Sequence, residues 1–157
     1  MSDTEQFIWE DSSSQALNFW SHIIGFVALI AASILALMFS ILIFAAIPVI
    51  LIFMFWNFLS IKSQKYRLTN QRIIMQRGVL NKVTDEVELY RVKDHRLEQP
   101  FFLRLFGLGN IVIITSDQLN HELVLSALKN APELRESIRK LVEARRVARG
   151  VRELDTQ

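Results

Sequence analysis

The chain has no cysteine. Disulfides, thiolate zinc sites and cysteine nucleophiles are thereby excluded, and the redox compartment stays open. A second shortage is local: from Ser12 to Ile61 there is no Asp, Glu, Lys or Arg, and all 18 Lys and Arg residues follow Ile61. Overall fractions of 51% apolar and 22% charged would suit a globular protein of 157 residues. The distribution does not, because each surface helix of a soluble fold needs a polar face. The length fits one ordinary domain, or a membrane anchor plus a small domain. The first eleven residues carry Asp3, Glu5, Glu10 and Asp11 and no base, unlike the positive start of a secretory signal.

The apolar stretch from Phe19 to Leu59 is too long for one crossing. As a single helix it would run to about 61 Å, twice the ~30 Å hydrocarbon core. Two helices joined by a tight turn fit instead, near Leu17 to Ile41 and Ile47 to Ile61. Pro48 then falls in the first turn of the second helix, where its missing N–H costs nothing. Trp20 and Trp56 sit near the ends that share a side and are expected to anchor at the interface. Lys62, Lys65 and Arg67 directly follow the second helix, and the positive-inside rule puts that flank, and with it the N-terminus, in the cytoplasm. His22, Ser33, Ser40 and Asn57 are the polar exceptions, read as interfacial hydration or helix–helix hydrogen bonding rather than a proton relay. Gly25, Ala28, Ala31 and Ala32 could let transmembrane helices approach closely, so a homo-oligomer is possible.

Residues 62 to 157 hold 18 basic and 12 acidic side chains, and the pattern turns to short strands. Lys65–Thr69 and Arg72–Arg77 read as a hairpin about Asn70-Gln71. Gly78 supplies a turn before Val79–Leu89, whose alternation Asp85 interrupts. Tyr90–Gln99 reads as an edge strand with Val92 and Leu97 inward. Pro100 ends it, and Phe101–Phe106 is expected as a short helical turn packed into the core. Ile111–Thr115 and His121–Leu128 read as strands around a turn at Ser116–Asn120. A final helix begins with a capping-box pattern, Asn130 with Glu133, and Pro132 in its first turn. Leu134, Ile138, Leu141 and Val142 form its inner stripe, and Gly150 stops it. The organisation expected is an N-terminal cytoplasmic segment 1–16, a transmembrane hairpin 17–61, a cytoplasmic domain 62–149 and a flexible tail 150–157. Strands followed by one helix suggest an α+β arrangement.

Two strings carry a family resemblance. Tyr66-Arg67-Leu68-Thr69-Asn70-Gln71-Arg72-Ile73-Ile74 after the hairpin, and Arg104-Leu105-Phe106-Gly107-Leu108-Gly109-Asn110-Ile111 with Thr115-Ser116, resemble the bacterial pleckstrin-homology domains of the membrane-flanked, YdbS-like type. The resemblance spans about Leu17 to Arg149. It implies a pleckstrin-homology-like fold, a bent and nearly closed antiparallel barrel plugged by the terminal helix, in a bacterial membrane protein with no shared enzymatic activity. The short connection at Asn70-Gln71 gives no basis for carrying over a deep inositol-phosphate pocket.

Catalytic motifs are incomplete. His121-Glu122 lacks the second histidine of a zinc-protease helix. Gly107-Leu108-Gly109 lacks the third glycine of a nucleotide fingerprint, and Asp94-His95 has no nucleophile in view. No catalytic, metal or cofactor residue is therefore assigned. The leading reading is a non-enzymatic interaction or scaffold module, multi-pass in the bacterial cytoplasmic (inner) membrane with both termini cytoplasmic, and a protein partner of unknown identity. The alternative is an anionic-lipid headgroup binder, with Lys62, Lys65, Arg67 and Arg72 as candidate contacts among the membrane lipids. The basic terminal helix is interrupted by Glu136 and Glu143 and has no interleaved aromatics, so no nucleic acid is expected.

Overall fold

The computed structural model describes residues 4–38, 44–117 and 121–150. The turn between the apolar helices with Ser40 and Ile41, the 118–120 part of the Ser116–Asn120 turn, and the tail 151–157 lie outside the described residues.

The chain opens with a strand the sequence reading did not anticipate. β1 (Phe7–Ser12) is followed by a 3-10 turn (Gln15–Asn18) and the apolar helix α1 (Phe19–Met38). α2 (Ala46–Lys62) brings the chain back to β2 (Lys65–Thr69), which pairs antiparallel with β1 in a register that sets Ser12 opposite Lys65 and Glu10 opposite Arg67. β3 (Arg72–Arg77) and β4 (Val83–Glu88) complete a four-stranded sheet ordered β1-β2-β3-β4. Trp9 and Asp11 are half-buried while Ile8 and Glu10, before and between them, are exposed, the alternation of a strand with one covered face.

β5 (Val92–Glu98), the short helix α3 (Phe101–Leu105), β6 (Leu108–Thr115) and β7 (Glu122–Lys129) follow, and the three strands form a second antiparallel sheet ordered β5-β6-β7. α4 (Ala131–Arg149) closes the fold. The core lies between the sheets. Tyr66, Leu68, Ile73, Met75 and Val87 from the first meet Ile111, Ile113, Leu123 and Leu125 from the second, and Leu134, Ile138 and Val142 of α4 cover one end. Alternate residues face inward because successive strand side chains point to opposite faces. The arrangement is antiparallel sheets plus a terminal helix, as expected. Barrel closure is not seen: among the described residues no ladder joins the two sheets.

Three local expectations are corrected. α3 is not packed into the core: Leu103 is buried, while Phe101 is 69% and Leu105 70% exposed. Five residues make about one and a half turns, too few to turn more than one side chain inward. The capping box at α4 does not form. Asn130 sits at φ 49° with no side-chain cap bond, because β7 runs into the helix through a left-handed residue instead of an extended one. The first four residues of the expected strand, 79–82, are loop, so β4 starts at Val83. There Gly78 adopts φ 109°, and a Cβ would strike the Asn81 carbonyl oxygen, so the turn requires glycine.

Among the described residues, one helical stretch, Gln15–Met38, is long and apolar enough to cross a membrane. α2 has 17 residues, or about 25 Å against a ~30 Å core. The two helices pack along Gly25, where a Cβ would lie 2.5 Å from Met54 Sδ, so that glycine serves contact within the chain. Their near ends are clipped: Asn18 Nδ2 donates to the Asn57 carbonyl (2.9 Å) and Gln15 Nε2 to that of Phe58 (3.1 Å). His22 and Ser33 bond back to the Asn18 and Leu29 carbonyls one turn away.

Where the excursion joins the sheets, Tyr66 is buried with its hydroxyl 2.9 Å from Ser13 Oγ, and it accepts the Ser126 N–H at 3.1 Å. Ser13 Oγ is also within reach of Gln64 Oε1 (2.9 Å) and the Ser126 carbonyl (3.1 Å). Replacing Tyr66 by Phe strands these polar groups, and is expected to lower the unfolding free energy of the full chain in detergent by about 1–3 kcal/mol. Thr84→Ala on the exposed face of β4 should stay within ~0.5 kcal/mol of the parent. Equal stability of the two variants by denaturant titration would contradict this account of the junction.

Candidate functional site

Two surfaces gather the residues that could recognise a partner. The first is a hollow of about 270 Å³ at the exit of α2, lined by Leu59, Lys62, Ser63, Lys65, Gln76, Arg77, Gly78, Val79 and Lys82. Lys62 comes from the last turn of α2, Lys65 from the start of β2 and Lys82 from the β3–β4 loop. Lys62 Nζ lies 5.8 Å from the centre of the Phe58 ring. Arg77 is committed elsewhere, with Nη2 2.9 Å from Asp85 Oδ2, and this pair explains how an aspartate is tolerated in the half-buried β4 pattern. Among the described residues, none of the three lysines has a carboxylate within ion-pair distance. Three unneutralised ammonium groups around a hollow of this size suit an anionic group, and the adjacent helix end puts them at headgroup level if α2 enters a bilayer.

Arg67 and Arg72 do not join this hollow. Arg67 Nε is 3.0 Å from Glu10, and Arg72 bridges Glu5 and Glu86, each at 2.8 Å. Hydrogen bonds from Arg72 and then Thr69 hold the Glu5 carboxyl below its ordinary range, and Glu86 and then Glu5 raise Arg72. A depressed carboxylate stays charged through neutral pH, and its contribution to folding is lost only as pH falls below the ordinary value of 4.5. These arginines tie the N-terminal segment to the sheet. Trp20 and Trp56, the expected interface anchors, are about half exposed; Trp20 meets Phe102 edge-on at 5.1 Å.

The second surface is a groove of about 410 Å³ between β1 and α4, lined by Ile8, Trp9, Asp11, Leu68, Lys129, Asn130, Glu133, Leu134 and Ser137. β1 is the edge of its sheet, paired on one side only among the described residues. Phe7 and Ile8 are exposed on it. An open edge beside a cleft of mixed lining, with Ile8, Trp9, Leu68 and Leu134 as its apolar part, offers main-chain hydrogen bonds and a side-chain pocket together, the geometry of strand addition. The sequence alone does not place this edge, because it belongs to residues ahead of the apolar segment. Lys82 was missed for a similar reason: only the turn at Gly78 brings it back towards Lys62 and Lys65.

The catalytic alternatives gain nothing from the geometry. Asp94 Oδ1 accepts the backbone N–H of His95 at 2.7 Å instead of orienting its ring. No group of three metal-ligating side chains occurs among the described residues.

Compared with known proteins, residues 21–142 match the model of the family described as Bacterial PH domain. Two solved structures are similar. One is a DUF1696 family protein with a pleckstrin-homology domain from Shewanella loihica, at 18% identity over 52% of this chain and 68% of that one, with a TM-score of 0.38. The other is the Vps36 N-terminal PH domain, at 13% identity over 94% of this chain and 86% of that one, with a TM-score of 0.46. At that distance neither likeness says anything of function. No curated protein matches the chain.

The hollow makes a quantitative prediction. Each base at an anionic surface contributes on the order of 1 kcal/mol. If the hollow holds an anionic headgroup, exchange of Lys62, Lys65 and Lys82 for Gln in the full chain should weaken binding of phosphatidylglycerol, added to the detergent-solubilised protein, by roughly 100-fold. The same exchange at Arg67 and Arg72 should change it little. Equal losses in the two variants, read by mass spectrometry of bound lipid, would contradict the assignment.

Proposed function

We propose a membrane-held interaction module, and the premise is membership: the chain belongs to the bacterial PH domain family. That family points to a module that binds lipid or protein rather than to an enzyme. The finer reading is a non-enzymatic scaffold in the bacterial cytoplasmic membrane, multi-pass, with both termini inside. In this reading residues 17–61 form the transmembrane hairpin, and the cytoplasmic domain at 62–149 takes in β1 as well. The protein partner is a chain with an extended, partly apolar segment that adds to β1 and lays side chains into the groove beside α4.

The observation that carries the anchoring is the β1–β2 pairing. One partner strand precedes the apolar excursion and the other follows it, so a chain that crosses a bilayer in α1 has to recross before Lys65. That supports two crossings although α2 is short; the exposed faces of both helices, with Ile24, Val27 and Ile34 on α1 and Val49, Ile52 and Phe55 on α2, support lipid as their solvent. Lys62 and Lys65 at the return support the cytoplasmic side. Tethering raises the effective concentration of any other membrane protein at the groove.

A second reading, recognition of anionic lipid headgroups, is favoured by one specific feature, the three lysines around the α2 exit that face no carboxylate among the described residues. The two readings use different faces, so one experiment separates them. With a photo-crosslinking residue at Ile8 or Ser137 in native membranes, a defined protein adduct is expected, and at Lys82 it should be absent. Adducts from neither groove position, with lipid adducts at Lys82, would replace the scaffold by the headgroup reading.

A further inference from the structure

The displaced aromatic residues of α3 have no place in the functions above, yet they form the most conspicuous apolar surface outside the hairpin. Leu103 alone points inward, into a small cluster with Leu108 and Ala127 against which Ala16 and Leu17 pack. Phe101, Phe102, Leu105 and Phe106 remain outside. They do not stand alone: Phe106 lies 5.7 Å from Phe19, Phe102 5.1 Å from Trp20, and Phe101 5.5 Å from Phe102, ring centre to ring centre. Phe19 and Trp20 are the first two residues of α1. The patch on α3 is thus continuous with the apolar side of the hairpin, at the end where the hairpin meets the domain.

We propose that α3 is an interfacial anchor: its aromatic face lies in the headgroup–acyl boundary of the same bilayer that holds the hairpin, and fixes how the domain stands on the membrane. This rests on the hairpin reading of the preceding section. Continuity selects lipid as the occupant, because a surface contiguous with a lipid-solvated helix at its entry point is at the depth where amphipathic and aromatic side chains partition. A contiguous apolar patch of this kind in water would be an aggregation liability. The one charge on α3, Arg104, is exposed at the end of a long apolar stem and can reach water from that depth. Pro100 stands just before the helix and sets its start with a fixed φ.

The absence of cysteine makes the test direct. Single variants Phe101→Cys and Leu105→Cys of the full chain carry a nitroxide label in nanodiscs of phosphatidylethanolamine and phosphatidylglycerol. Ile30→Cys and Ile52→Cys report the hairpin, and Thr84→Cys reports water. All five positions except Thr84 are large exposed apolar side chains, so the label displaces no buried packing. The expected result is a ratio of oxygen to water-soluble nickel-complex accessibility several-fold higher at 101 and 105 than at 84, and lower than at 30 and 52. If 30 and 52 are embedded while 101 and 105 match 84, the anchor is refuted and the hairpin stands. If 101 and 105 are shielded from both reagents, a second copy or another protein covers the patch, and the anchor is equally refuted. Water-like values at 30 and 52 would remove the hairpin reading itself, and this inference with it.

Discussion

The pairing of Ser12 with Lys65, and the knot of hydrogen bonds just beyond it, is the constraint on which the molecule is built. Fifty-two residues separate these two positions in sequence, and they are opposite each other in one ladder. Ser13 and Gln64, the next residues on either side, are joined by their backbones (3.3 Å) and side chains (2.9 Å). The Ser14 N–H reaches across to the Ala127 carbonyl at 3.2 Å. The first and second sheets and both ends of the apolar excursion therefore meet at one point. An isolated two-stranded contact would be marginal. Here it is one edge of a four-stranded sheet whose inner face carries Tyr66, Leu68, Ile73 and Met75.

This arrangement makes the helices and the domain one unit rather than an anchor with a cargo. A flexible tether would let the sheets tumble relative to the helices. A hairpin whose two ends emerge from adjacent strands transmits its orientation to the sheet, and the clips from Gln15 and Asn18 to the end of α2 hold the exits together. The surfaces that remain open take their meaning from that coupling. The lysine hollow sits where α2 leaves the apolar zone, the aromatic face of α3 where α1 enters it, and the β1 groove is formed partly by the strand that precedes both.

Much of this was legible in the residues. β2 and β3 lie within the limits their Tyr, Leu and Ile alternation assigns, the α4 stripe of Leu134, Ile138 and Val142 is buried, and Gly150 ends that helix in the left-handed conformation. What was not legible shares a physical cause. β1 has an open strand pattern, but pairing across an intervening hydrophobic excursion is non-local, and no short-range signal announces it. The burial of α3 was inferred from its composition, and apolar composition does not distinguish a protein core from a lipid surface as the solvent. Asn130 has the right identity for a cap, yet the strand it follows fixes its backbone first. Arg67 and Arg72 were charges of the right sign near the right place, and only the fold set Glu10 opposite Arg67 in the β1–β2 ladder and Glu5, just ahead of β1, beside Arg72.

The central claim is that the strands on either side of the apolar excursion share a sheet on the inner side of one membrane. Cysteine replacements at Gln6, ahead of the hairpin, and at Lys82, beyond it, test it in intact cells and in inverted vesicles with a membrane-impermeant thiol reagent. The account predicts modification of both positions in inverted vesicles and of neither in intact cells. Labelling of one position from each side would contradict it.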